Sequence, residues 1–349
     1  MKAVKIRKIF TLFFFVSIVL LSEQGLCLEP PTSHFSLILD TPMAYVLDGG
    51  RLEGTFLYER IDSNLDVFNF RKSGEGGGSL SNKSLGSVGD YKSPGGIINF
   101  GLTGRITLSF KAEFPKIDFG EGDLKVTKLT PSVRCNIITE KILFPAVSLG
   151  FTYKNDRGED IKRRFSAPIG TTDSKPPTIK IGGVKDETYS GSLYLSKLLS
   201  ENFVVHTFFE VGKTRVKSEF NTNLDIKGIQ KILKDLEYDQ KNYAIGAGFH
   251  YRIKPYLIFN FNYKFIKVDR DIDDDIRGGF KKNNIVDVKI NYILNKYMAL
   301  TFQGKYFSNF LVGEVPFLYN RFTSGLFDNH YGYLGTGITF SYDYSNWLH

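Results

Sequence analysis

The chain has 349 residues, and aromatic side chains make up 15% of it, mainly through 31 Phe and 19 Tyr. Its mean hydropathy is nevertheless slightly negative, at -0.16, and its formal net charge is +8. The basic residues are scattered and form no nucleic-acid-binding motif, so we expect no nucleic-acid partner.

The first predicted element is a secretory signal peptide at residues 1–27. A basic head precedes the apolar run at 9–21, and a short polar stretch ends with Gly25 and Cys27. An apolar run needs about 20 residues to span a bilayer as a helix, and this one is shorter. It is typical of the h-region of a cleaved signal, so we expect export. An uncleaved anchor is one alternative, and a lipoprotein acylated at Cys27 is another, which the bulky Leu26 disfavours.

We predict a periplasmic N-terminal segment at residues 28–50, followed by one domain at 51–349. The stretch Thr41-Pro42-Met43-Ala44 and the pair Gly49-Gly50 resemble the opening of YjbH-like outer-membrane proteins associated with exopolysaccharide production. The resemblance covers residues 41–52 and implies a role in polysaccharide secretion. The alternative is a simple turn, since proline and paired glycines mark turns in many chains.

From residue 51 onward, apolar and polar residues alternate in about a dozen segments. In residues 257–265, for example, Leu, Phe and Tyr alternate with Asn260, Asn262 and Lys264. A period of two indicates a strand with one apolar face. No later stretch has the length of a transmembrane helix, so any membrane span must be built from strands. We therefore predict an all-β fold, a transmembrane antiparallel up-and-down β-barrel of about 12 strands.

A soluble periplasmic β-sandwich is the structural alternative. It would bury the alternating faces against each other, and it rarely has so high an aromatic content. In a barrel the apolar face contacts lipid and the other face contacts water, which reconciles many aromatic residues with a negative mean hydropathy. The composition therefore favours the barrel.

The predicted connections alternate between short and long, as in outer-membrane barrels with short periplasmic turns and long extracellular loops. Pro131 and Pro145 make the fourth and fifth strands the least regular, because proline cannot donate to a ladder. Residues 224–238 have the apolar spacing of a short amphipathic helix within one loop. The short turns lie near 104–105, 139–141, 198–201, 254–255 and 295–296; the long loops span 62–94, 155–187, 218–240, 268–283 and 308–330, and 115–123 is compact.

The polar faces of these strands are predicted to line the lumen. Basic residues slightly outnumber acidic ones, but the surplus is too small to decide between ion pairs that close the lumen and a narrow path with a mild preference for anions. His206 and His250 are expected on neighbouring strands, His206 beside Glu210. The predicted lumen-lining residues are Lys111, Glu113, Arg134, Lys154, His206, Glu210, His250, Arg252, Asn260, Asn262, Lys264, Lys289, Gln303 and Lys305.

The final predicted strand carries Gly337, Phe340, Tyr342 and Tyr344. This pattern resembles the C-terminal signature by which outer-membrane barrels are recognised for assembly, but the chain departs from it by ending in Trp347-Leu348-His349. The resemblance implies the barrel assembly machinery as a partner. With the export signal it predicts location in the outer membrane of a Gram-negative bacterium, in contact with lipid and lipopolysaccharide.

The sequence contains no motif for catalysis, metal binding or a cofactor. No histidine stands in the His-x-Ser-Asn-Gly arrangement typical of barrel phospholipases. Asp269, Asp271 and Asp273 begin like a calcium loop, but Asp274 and Phe280 replace its glycine and glutamate. We expect a channel or secretion-associated barrel for small polar or anionic solutes or saccharides, and not an enzyme. The alternative is a structural or adhesive surface barrel that acts through its loops.

Overall fold

The computed structural model describes residues 41–61, 88–119, 123–164, 178–222, 236–272, 281–309, 312–319 and 330–344. The predicted signal peptide and most of the predicted helix at 224–238 lie outside these residues. Within these ranges, no helix has the length and apolar character needed to cross a bilayer. The helical element of these ranges is a single 3₁₀ turn at Pro316–Leu318.

The described residues form one antiparallel sheet of fourteen strand segments. Their bounds are β1 (Arg51–Ile61), β2 (Val88–Thr103), β3 (Ile106–Glu113), β4 (Lys116–Phe119), β5 (Asp123–Ile138), β6 (Ala146–Gly158), β7 (Ile161–Arg164), β8 (Thr178–Ser200), β9 (Phe203–Thr222), β10 (Tyr238–Lys254), β11 (Leu257–Arg270), β12 (Lys282–Asn295), β13 (Met298–Phe307) and β14 (Tyr331–Asp343).

The sheet closes on itself, because β1 pairs with β14 on one side and with β2 on the other. Two short segments extend their neighbours: β4 continues β3 between β2 and β5, and β7 continues β6 along β8. If each extended pair is counted as one strand, the fourteen segments reduce to twelve. The wall is therefore a closed up-and-down antiparallel barrel of twelve strands, which confirms the predicted fold.

The outer face of this wall is apolar. Phe56, Phe302 and Phe340 are 68%, 50% and 46% exposed, and large apolar side chains lie at alternate positions on most strands. So large an apolar surface is unfavourable in water but matches hydrocarbon. The closed ladder also satisfies the backbone hydrogen bonds that a lipid environment leaves without water. The exterior is therefore that of a transmembrane barrel.

Both prolines of the predicted fourth and fifth strands lie where the ladder tolerates them. The β5–β6 pairing skips Thr130 and Pro131 and resumes at Ser132 opposite Thr152. Pro145 immediately precedes β6 and interrupts no pair. The strands therefore form despite proline, because Pro131 coincides with a gap in the β5–β6 ladder and Pro145 lies outside the ladder.

Several strands are longer than predicted, and the loops 62–94, 155–187 and 218–240 are correspondingly shorter. β2 begins at Val88, β8 begins at Thr178, and β9 continues to Thr222. The extended parts carry charged residues on the outer face as well, including Lys185 and Arg215 on neighbouring strands. These extended parts lie beyond the apolar outer surface that contacts lipid. The alternation of apolar and polar residues therefore disappears there, while the pairing of the strands continues. The predicted turn at 139–141 is longer and spans 139–145.

A charge placed in the apolar belt should destabilise the barrel according to its depth. Phe302 lies in the middle of β13, whereas Tyr297 is in the turn before it and is also about half exposed. We expect Phe302→Arg to lower the free energy of unfolding by about 2–4 kcal/mol and Tyr297→Arg by about 0–1 kcal/mol. Urea unfolding in lipid vesicles measures both. Equal losses would contradict membrane contact at Phe302.

Candidate functional site in the barrel lumen

The lumen has three layers between the two ends of the barrel. The short-turn end carries the turns 104–105, 201–202, 255–256 and 296–297, and the long-loop end is opposite. The lower layer, at the short-turn end, contains the N-terminal segment, defined as residues 41–50. The middle layer is charged, and the upper layer is apolar.

The N-terminal segment lies inside the barrel, against the inner face of the wall. The Ala44 N–H donates to Ser196 Oγ over 2.7 Å, and the Asn136 side-chain amide donates to the Ala44 carbonyl over 3.2 Å. Further along, the Leu47 N–H donates to Thr107 Oγ1 over 2.7 Å. These contacts follow β8, β5 and β3 in turn, so the segment runs across the lumen before entering β1.

Packing also fixes this segment. Met43 is buried against Leu198 and Val204. At Gly101 a Cβ atom would lie 1.9 Å from the Asp48 carbonyl oxygen, so only glycine lets the segment approach β2 so closely. The prediction for residues 28–50 was a periplasmic segment; the part that the structure describes closes the lumen from the short-turn side.

Tyr45 links this segment to the turn 139–145. Its hydroxyl donates to the Glu140 carboxylate. Burial, together with this hydrogen bond and the charge of Glu140, raises the pKa of Tyr45 above its usual value. Tyr45 is therefore a neutral donor at physiological pH.

The middle layer is lined by ion pairs. Within the wall, Lys111 lies 3.0 Å from Glu113 and Lys154 lies 2.8 Å from Asp156. Another wall pair joins Lys264 to Glu210 over 3.6 Å. The side chains of Lys264 and Lys111 remain 30% and 29% exposed although they point away from lipid. The middle layer therefore surrounds open space inside the barrel. A cavity of about 20 Å³, enough for about one water molecule, lies against β1, β2 and β3 beside this space.

The structure places the side chains predicted to line the lumen on the inner face of the wall. They are Lys111, Glu113, Arg134, Lys154, His206, Glu210, His250, Arg252, Asn260, Asn262, Lys264, Lys289, Gln303 and Lys305. They do not converge on one point, because they are distributed over the lower and middle layers.

The two histidines pair with asparagines. His206 Nε2 lies 2.6 Å from Asn262 Oδ1, and His250 Nδ1 lies 2.6 Å from Asn260 Oδ1. Arg134 lies over the Tyr194 ring, 4.5 Å from its centroid. These contacts are hydrogen bonds and a cation–π contact, so they hold neighbouring side chains of the wall together and arrange no nucleophile and base.

The upper layer contains a segment that sequence analysis assigned to an extracellular loop at 308–330. Residues 312–319, here called the inward loop, fold into the barrel and bury Val315, Phe317 and Tyr319 against wall residues that include Tyr331. The available signal was the apolar stretch Val315–Tyr319, which is unusual in a polar loop. This loop closes the long-loop end with a packed apolar core.

Polar contacts attach the inward loop to the wall. The Phe317 N–H donates to Asp186 Oδ2 over 3.2 Å, and the Asn283 side-chain amide donates to the Val312 carbonyl over 3.0 Å. The Arg270 guanidinium lies over the Tyr319 ring, 3.6 Å from its centroid. The loop is thus held from β8, β12 and β11 together.

Glu314 extends from the inward loop into the middle layer. Its carboxylate lies 3.8 Å from Lys128 Nζ and 4.0 Å from Lys305 Nζ, while Lys154 Nζ donates to its backbone carbonyl over 2.6 Å. Burial opposes its ionisation, but the ammonium groups of these three lysines and of Lys264 hold the pKa of Glu314 below its usual value. The carboxylate is therefore ionised. Sequence analysis selected neither Glu314 nor Lys128.

Other sequence expectations concern metal binding and assembly. No group of three or more His, Cys, Asp or Glu able to hold a metal ion occurs among the residues that the structure describes. On β14, Phe340 and Tyr342 face outward, as does Tyr344 just beyond it, whereas Gly337 faces inward. Their role as an assembly signal stays a prediction.

No protein-family model matches the chain, and no curated protein matches it. Among solved structures it is similar to the NanC porin, at 10% identity and a TM-score of 0.45, over 83% of this chain and 98% of that one. It is also similar to an outer-membrane channel from Pseudomonas putida F1, at 13% identity and a TM-score of 0.48, over 86% and 98%.

A third similar structure is the β domain of the Bordetella autotransporter BrkA, at 11% identity and a TM-score of 0.45, over 85% of this chain and 100% of that one. With identities and TM-scores this low, the three similarities identify no family and no solute. The resemblance of residues 41–52 to YjbH-like proteins stays a prediction.

A side chain at position 101 should displace the N-terminal segment. We expect Gly101→Ala to cost about 1–3 kcal/mol through overpacking, which raises the population of the displaced segment by at least about fivefold. Proteinase K cleavage within residues 41–50 measures that population. Gly54→Ala is the control, because nothing lies within 4 Å of its added Cβ. Equal cleavage rates in the two variants would contradict the placement of the segment.

Proposed function

We propose that the chain is an outer-membrane channel for small polar solutes, with a preference for anions, and that this structure is its closed state. The observation that carries the proposal is a charged chamber in the middle layer, enclosed by a lipid-facing wall. The chamber is closed at both ends by segments that are not wall strands.

Unpartnered polar atoms support a hydrated chamber. Asn260 Nδ2, Asp287 Oδ1 and Gln303 Oε1 are buried and have no hydrogen-bond partner among the described residues. Leaving such an atom unsatisfied costs about 1–3 kcal/mol. Movement of the closing segments would expose these atoms to water or to the hydroxyl groups of a passing solute, which would satisfy them. A barrel whose interior is permanently closed by packed side chains would favour apolar residues at these positions.

The size of the barrel supports a narrow path. Eight-stranded barrels are filled by their own side chains, whereas porins of sixteen strands leave a wide channel. Twelve strands leave an interior that this chain closes at its two ends with the N-terminal segment and the inward loop. Movement of both segments would open a path for small solutes, and saccharides are included among them. An exopolysaccharide substrate, which the resemblance of residues 41–52 implies, would belong to the same class.

One observation favours the second candidate, a structural or adhesive surface barrel. The inward loop is fixed by the apolar core of the upper layer, in which Tyr91 stacks on Tyr333 with ring centroids 5.1 Å apart. A permanent core of this kind would give the long loops a rigid base for binding at the surface. The two candidates differ in whether the inward loop can leave the lumen. Neither assigns an enzymatic activity to the chain.

Loosening the inward loop should open the channel. The double variant Phe317→Ser, Leu318→Ser removes two buried apolar side chains that hold the loop in the lumen. Loss of such side chains costs about 2–5 kcal/mol each, so the open-state occupancy should rise by at least about tenfold. Single-channel recordings in planar bilayers measure this occupancy, and reversal potentials in a KCl gradient should show a mild preference for chloride.

The matched control is Leu143→Ser, Phe144→Ser, which removes the same residue types from the exposed turn 139–145. It should leave the recordings at the wild-type level. If all three proteins insert, as shown by heat-dependent electrophoretic mobility, and none conducts, the channel proposal is wrong and the surface barrel is favoured. A strong preference for potassium would refute the preference for anions.

A further inference from the structure

Lysines from four different strands lie around Glu314: Lys128 and Lys305 approach its carboxylate, Lys154 donates to its carbonyl, and Lys264 adds its positive charge. Lys128 lies on β5, Lys154 on β6, Lys264 on β11 and Lys305 on β13. These four residues are called the four-lysine site. Each strand is fixed in the closed wall, so the four lysines keep their places around the chamber whether or not Glu314 is present.

The four lysines are not equally neutralised by the wall. Lys154 and Lys264 have the wall carboxylates Asp156 and Glu210 as partners. For Lys128 and Lys305, Glu314 is the one carboxylate within 4 Å among the described residues. Removing Glu314 therefore leaves two ammonium groups facing the chamber with no ion pair.

The backbone conformation of the inward loop places the Glu314 carboxylate beside Lys128 and Lys305. Gly313 has a φ of 80°, a conformation that favours glycine, and it lies against Ile266 of the wall. Lys154 holds the next carbonyl, that of Glu314 itself, over 2.6 Å. The Glu314 side chain remains 25% exposed, so its carboxylate borders the open space of the chamber.

We propose that the four-lysine site binds the carboxylate of a small organic anion, and that Glu314 takes the place of that carboxylate in the closed state. The inference rests on the proposed function and names the solute class. Binding of the solute and docking of the inward loop would exclude each other. An arriving anion would therefore favour the displaced loop, because it binds only the state in which the site is free.

The surroundings of the site favour a single carboxylate on a polar body. Asp156 and Glu210 flank the lysines, and Asp186 lies nearby on β8, so a doubly charged phosphate would meet more repulsion than a monoanion. Gln303 precedes Lys305 by two positions on the same face of β13, and Asp287 is opposite Lys305 on β12. One oxygen of each is buried and unpartnered in the closed state; once the inward loop is displaced, these oxygens would accept hydrogen bonds from the hydroxyl groups of a sugar acid.

The test measures binding to the full-length protein in detergent micelles, which requires no conductance. Glucuronate is the carboxylate probe, glucose is its neutral counterpart, and inorganic phosphate is the third ligand. Isothermal titration calorimetry gives the dissociation constants. Glu314→Gln should bind glucuronate at least about tenfold more tightly than the wild type, if the wild-type site is free in at most about one molecule in ten.

Two variants make the result specific. Glu159→Gln changes the net charge equally on an exposed ion pair outside the lumen, and it should bind glucuronate as the wild type does. Adding Lys128→Gln and Lys305→Gln to Glu314→Gln should abolish the gain. Glucose should bind none of the proteins, and phosphate should bind Glu314→Gln more weakly than glucuronate does.

Several outcomes would overturn the inference. These are equal glucuronate binding by the wild type and a folded Glu314→Gln, retained binding in the triple variant, or phosphate binding at least as tight as that of glucuronate. If Glu314→Gln does not fold, Glu314→Ala replaces it and must show the same gain. Tight glucuronate binding without conductance would support the four-lysine site and refute the channel proposal. Conductance without tighter glucuronate binding by Glu314→Gln would support the channel proposal and refute the site.

Discussion

Every strand of the wall has a hydrogen-bonded neighbour on both sides, and the rest of the molecule depends on this closure. Hydrocarbon offers no partner to a free N–H or C=O group, and each unsatisfied group there costs several kcal/mol. The pairing of β1 with β14 removes both edges. It brings the hydroxyls of Thr55 and Thr339 to 2.9 Å although 284 positions separate them in the chain. A ring of twelve strands in turn fixes an interior that the wall side chains cannot fill.

The interior shows two solutions to that geometric problem. At the long-loop end, Phe317 and Tyr319 of the inward loop complete an apolar core much like that of a soluble protein. At the short-turn end, the N-terminal segment is held by hydrogen bonds with polar wall residues: the Asn136 amide donates to it and the Thr107 hydroxyl accepts from it. The charged layer between them needs counter-charges, because lysines in a low-dielectric interior are unfavourable alone. Glu314 supplies one of these from a loop.

The wall could be predicted from the sequence because lipid contact imposes a period of two on each strand. Residues 259–265 alternate without exception, and β11 contains all of them. Beyond the belt the same rule fails: Lys185 and Arg215 lie on paired strands, but polar residues occupy both faces there. Pairing without lipid contact leaves no periodic signal, so the predicted loops were too long.

The candidate site was less predictable for the same reason. Packing inside a lumen imposes no period. The apolar composition of Val315–Tyr319 indicates burial but does not say where, and the N-terminal segment has no pattern that indicates its position. Lysines on regular strands, such as Lys154 and Lys305, could be assigned to the inner face from alternation alone. Lys128 precedes the regular part of its predicted strand, and Glu314 belongs to a loop. The contact between Lys128 and Glu314 depends on the conformation of the inward loop, which residue patterns in a single sequence do not predict.

The junction of β1 and β14 has a consequence for biogenesis. The Tyr344 N–H donates to the Gly50 carbonyl over 2.8 Å, at the point where the chain leaves the lumen and enters the wall. The β1–β14 pairing therefore begins beside the point where the N-terminal segment is attached to the wall. Docking of the N-terminal segment and pairing of β1 with β14 form one cooperative event. The last strand of the ring, β14, must find the first, so the ring stays open until β14 has been synthesised. Closure over so great a sequence separation costs more chain entropy than the pairing of strands that are neighbours in the chain.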